Sequence, residues 1–139
     1  MNNTVAGLSE SEHVIDTADI LTDLADAMQE NTLHAFQQDI ITQQEADQLN
    51  QLTNEMRHEA NLLYNDAASY ICAELEMAQI EIIETISNAK DAIKDMRNTA
   101  IYIKIATHAI AMLGAIKTAN VSGIVNSVKA IKKESKNIT

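Results

Sequence analysis

The chain has 139 residues, 46% of them hydrophobic, with no proline, no tryptophan and three glycines, Gly7, Gly114 and Gly123. That composition excludes a polar disordered chain and permits long helices, because the helix breaker is missing and the helix weakener is scarce. A net charge of −10 weighs against unassisted binding to nucleic acid, whose phosphates require Lys and Arg.

Residues 1–8 read as a flexible arm with neither a basic nor an apolar leader, so the expected site of synthesis is the cytoplasm, with signal-less export left open. A first helix is expected over roughly 10–39, capped by Ser9 or Ser11. Val14, Ala18, Leu21, Leu24, Ala25 and Met28 recur at three- and four-residue steps and form its apolar face. Glu12, Asp16, Asp19, Asp23, Asp26 and Glu30 run along the opposite side. At about 100° per residue these six carboxylates fall within roughly 80° of arc.

Thr42-Gln43-Gln44-Glu45 is a capping box that opens a second helix. Its apolar register passes through Leu49, Leu52, Met56, Ala60, Leu63, Ala67, Ile71, Ala78, Ile82, Ile86, Ala89, Ile93 and Met96 without a proline or glycine. One helix over 43–97 would be about 80 Å long. Asn65-Asp66 and Asn88 are the places where it can break in two. A second apolar stripe, Leu62, Ile80 and Ile83, suggests burial on two sides there.

A third helix is expected over 99–118, capped by Asn98 or Thr99, in the most apolar part of the chain. Its polar positions Lys104, Thr107 and His108 form one narrow strip. A last helix, 122–136, is expected to start at Ser122. It carries Ile124, Val125, Val128 and Ile131 on one side and Lys129, Lys132, Lys133 and Lys136 on another. The pattern predicts a single all-α domain over 1–139: a four- to five-helix bundle, with one long helical hairpin as a possible frame.

The charge is sorted along the chain. Residues 1–89 hold seventeen acids and one base, Arg57, whereas residues 90–139 hold nine bases and three acids. Such asymmetry points to an electrostatic partner within the molecule or outside it.

Little in the sequence points to catalysis. Glu10/His13 and Glu55/His58 have the Glu-x-x-His spacing of di-iron bundles. However, Glu55 and His58 project away from the apolar face, and Glu10/His13 sits at a helix start. Cys72 is the sole cysteine, which precludes an intramolecular disulfide, and it reads as a small buried hydrophobe. There is no phosphate-cradling glycine loop, HExxH or GxSxG. The expectation is no enzyme, no metal and no cofactor.

The reading that follows is a non-enzymatic helical binding protein whose acidic row, Glu12 to Glu30, captures a basic protein. In size and patterning it resembles the small helical proteins of bacterial toxin–immunity and secretion systems, a resemblance of class that no motif carries. An immunity or antitoxin-like inhibitor is the form it implies. A second reading is a membrane-active or secreted helical protein using residues 100–133, although seventeen residues interrupted by Lys104, Thr107 and His108 fall short of a span of about 20. A third is a self-assembling subunit in which the acidic row meets Lys129, Lys132, Lys133 and Lys136 of a neighbouring copy.

Overall fold

The computed structural model describes residues 5–94 and 99–137. Among these there are five α-helices and no strand: α1 Ser11–Gln37, α2 Gln43–Asn65, α3 Gln79–Ala92, α4 Thr99–Lys117 and α5 Val121–Lys136. The chain is an all-α helical bundle. α1 packs on α2 and α3, α2 on α4, α4 on α5, and α5 back on α3. The five helices therefore close a ring in the order α1, α2, α4, α5, α3, around one continuous core. α4 supplies much of that core through Tyr102, Ile105, Ala106, Ala109, Met112 and Leu113, all fully buried.

The α1–α2 hairpin is built by local chemistry. At the end of α1 the Ile40 amide donates to Ala35 O at 2.8 Å and the Asp39 amide to Phe36 O at 3.1 Å. This is a Schellman closure, with Asp39 at φ 60° in the left-handed position. Thr42 then opens α2 with the expected reciprocal box: its side chain accepts from the Glu45 amide, and Glu45 accepts from the Thr42 amide. The α4–α5 turn repeats the closure, with the Asn120 amide on Ala115 O at 2.8 Å and Ala119 at φ 54°. An alanine there has no side-chain bond to offset the strain. Ala119→Gly should therefore raise stability by about 0.5–1 kcal/mol, read as a shift in urea midpoint at constant slope.

Several expected boundaries are corrected. No single helix covers 43–97. It stops at Asn65, the first of the two break points, where Asp66 leaves helical geometry at φ −149°. A short 3₁₀ turn, Ala67–Tyr70, and an irregular stretch carry the chain to α3. The expected second covered side is met only in part, since Leu62 and Ile83 are half-buried but Ile80 is 50% exposed. The last helix is capped by Asn120, whose side chain accepts from the Gly123 amide, rather than by Ser122. Neither Ser9 nor Ser11 caps α1, whose N-cap position is Glu10 with no side-chain cap bond. Asn98 and Met96 lie outside the described residues.

Residues 5–8 do not form a loose arm. The Gly7 amide donates to Met77 O at 2.6 Å, the Gln79 amide to Val5 O at 2.9 Å and the Cys72 amide to Leu8 O at 2.7 Å. This segment lies antiparallel to 77–79 and supplies backbone partners for the irregular stretch. Leu8 is fully buried at φ 55°, a left-handed conformation that a leucine keeps only where its surroundings impose it.

Candidate functional site

All six carboxylates of the acidic row are exposed on α1. The opposite face buries Val14, Thr17, Ala18, Leu21, Leu24, Ala25 and Met28. The predicted division of the helix is therefore the observed one. The row is not uniform. Asp19 accepts a hydrogen bond from the Tyr64 hydroxyl of α2. Asp26 accepts from Arg57 Nη2 at 2.7 Å and Nε at 3.0 Å. Glu12, Asp16, Asp23 and Glu30 hold no hydrogen bond or ion pair among the described residues, so their charge faces solvent. An exposed pair such as Asp26–Arg57 adds little stability. What it does is occupy Arg57, the single base of residues 1–89.

Tyr64 records the field of the row. Burial pushes its hydroxyl up to about 12, and the hydrogen bond to Asp19 and the charges of Asp19 and Asp23 push the same way. The fold thus favours the protonated phenol. That contribution is whole below the ordinary tyrosine value of about 10 and is lost as pH rises through about 12. In an ultraviolet titration of tyrosinate, Tyr64→Phe should remove a late-ionising phenol, and Asp19→Asn should bring that phenol to lower pH. An unchanged curve for Asp19→Asn would show that the contact does not form in solution.

The lysine row lies elsewhere. Lys129, Lys132, Lys133 and Lys136 are exposed on α5, which packs on α3 and α4. Among the described residues no ion pair joins them to the acidic row, so the fold does not bring the two together within one molecule. Lys132 and Lys136 instead border a groove of about 210 Å³ with Thr85, Asn88 and Ser135. Lys117, at the end of α4, forms an ion pair with Glu59 of α2.

The other candidates fall as follows. Cys72 is buried beneath the N-terminal segment. Glu55 and His58 are exposed on α2, pointing away from the core. His13 shares its Nδ1 between the Ser9 amide and hydroxyl, both at 3.2 Å, with Nε2 4.0 Å from Glu10. That arrangement organises the start of α1. Among the described residues, no three His, Cys, Asp or Glu side chains are grouped to hold a metal ion. α4 is long and apolar enough by length and composition to cross a membrane, with 56% of its most apolar window buried in the bundle.

Two residues were missed in the sequence as surface features, Leu33 and Phe36, at 55% and 40% exposure. A signal was present. Beyond Met28 the core register continues through Thr32 and Ala35, so Leu33 and Phe36 are out of phase with it. They border two adjoining hollows. One, about 140 Å³ between α1 and α2, is lined by Gln29, Thr32, Leu33, Phe36, Ala46 and Asn50. The other, more open, is lined by Asp26, Gln29, Glu30 and Leu33. The acidic row therefore ends in an apolar patch.

No family model matches this sequence, and the comparisons with curated proteins and with solved structures likewise gave no match.

Proposed function

We propose that this protein is a non-enzymatic binding protein that captures a basic protein partner on the acidic face of α1, as an immunity or antitoxin-like inhibitor would. The observation that supports this reading is the four exposed, unengaged carboxylates, Glu12, Asp16, Asp23 and Glu30, set along one side of a helix whose other side is core. A row of like charges also favours solubility. Here, however, the whole α1–α2 hairpin, residues 11–65, holds eleven acids against Arg57 alone, and a field of one sign steers an oppositely charged protein into contact. The test is neutralisation of the four free carboxylates, followed by measurement of association rate against salt with a basic partner recovered by cross-linking from the source cells.

A second reading rests on α4, whose length and composition suit a membrane span. It requires the bundle to open and release α4 and α5 as a hairpin at a bilayer surface. Dye release from anionic vesicles at neutral and mildly acid pH would favour it over capture of a basic protein.

A further inference from the structure

The apolar patch at the end of the acidic row gives the proposed capture a second component. We infer that the C-terminal part of α1 and the N-terminal part of α2 form a seat for a basic amphipathic helix of another protein. An apolar side chain of that helix enters the hollow beside Phe36, and its Lys or Arg residues lie against Glu30. This rests on the acidic-face reading and adds an anchor to it.

The geometry favours this occupant on three counts. The inner hollow, about 140 Å³, is close to the volume of about 150 Å³ that accepts a benzene ring in a protein interior, so it suits one aromatic or branched aliphatic side chain. Leu33 and Gln29 border both hollows, which makes the apolar seat and the carboxylates one surface. An anchor in a pocket with charges at its rim is how a few residues come to dominate an interface. The unpaired charge beside the seat is negative, since Arg57 is paired with Asp26 and Glu30 has no partner among the described residues. A second copy of this chain fits less well. Its lysine row lies on α5, where no large hydrophobic side chain is exposed among the described residues to fill the hollow, and two copies at −10 repel.

The test uses the full chain and synthetic probes: a helical leucine–lysine peptide with its apolar residues on one face, and a scramble of the same composition. At about 150 mM salt, where long-range attraction is largely screened, the amphipathic peptide should bind several-fold more tightly than the scramble. Its amide shift changes should centre on residues 29–36 and 46–50. The double variant Leu33→Ser/Phe36→Ser changes side chains that are 55% and 40% exposed, so the bundle should stay folded with a modest loss of stability. It should weaken the amphipathic peptide about tenfold, the effect of losing an interface anchor, and leave the scramble unchanged. Equal binding of both peptides, lost only when the free carboxylates are neutralised, would overturn the anchor and leave acidic capture standing. No binding of either peptide would overturn both. Self-association that disappears in the double variant would assign the seat to a second copy and overturn the foreign helix.

Discussion

Gln79→Leu should lower the stability of this protein by about 2 kcal/mol, although it replaces one side chain with another of similar size. The Gln79 side chain accepts from the Leu8 amide at 3.0 Å and donates to His13 O at 3.1 Å and Thr17 Oγ1 at 3.2 Å. Leucine satisfies none of these, and the buried Leu8 amide is left without a partner. The cost is the desolvation of that group rather than a cavity. Gly7→Val addresses the same joint from the other side. A Cβ at Gly7 would lie 2.7 Å from Ile82 Cδ1 and 2.9 Å from Met77 O, and a backbone oxygen cannot swing away as a side chain can. The expected cost is about 1–3 kcal/mol. The two substitutions share one joint, so their effects should combine sub-additively. Urea melts followed by circular dichroism give the stabilities, and hydrogen exchange at the Cys72 amide reports the arm itself. Wild-type melting of both variants would mean that residues 5–9 do not dock on 72–79.

The second large effect is expected in binding kinetics. Glu12→Gln/Asp16→Asn/Asp23→Asn/Glu30→Gln removes four negative charges that hold no hydrogen bond or ion pair among the described residues. Stability should change by less than about 1 kcal/mol, and upwards if at all, because like-charge repulsion along α1 falls. Association with a basic partner should slow by about ten- to a hundredfold at low salt and lose most of its salt dependence. Dissociation should change less. Asp19→Asn/Asp26→Asn is the control, since these two carboxylates are engaged with Tyr64 and Arg57 and belong to the α1–α2 interface. A quartet variant that unfolded or changed oligomeric state would show that the row pairs with lysines of another copy, in favour of self-assembly.

Much of this architecture is legible in the amino-acid order because its causes are local. The absence of proline and the periodic apolar residues specify helices. Thr42 with Glu45 marks the start of α2, because the bonds they make span only three residues. The exposure of Glu12 through Glu30 follows from the helical repeat once Val14 to Met28 are recognised as core. The position of Lys129 to Lys136 on one side of α5 follows in the same way.

What could not be read depends on residues far apart in the chain. The segment 66–78 has a composition that suits a helix, and nothing local forbids one. It is irregular because Gly7, Leu8 and Val5 offer it backbone partners and burial, some seventy residues away in sequence. The same pairing turns a short N-terminal stretch from an apparent tail into part of the core. Whether the acidic row and the lysine row meet was equally beyond the sequence. It depends on the order of helices around the ring, which places α3 between α1 and α5. Leu33 and Phe36 show the limit most plainly. Their phase revealed that they leave the core line, but only the approach of Ala46 and Asn50 on α2 makes the space beside them a hollow. Helical period is a property of neighbours three and four residues apart, whereas a surface that can seat a partner is made by the packing of one helix against another.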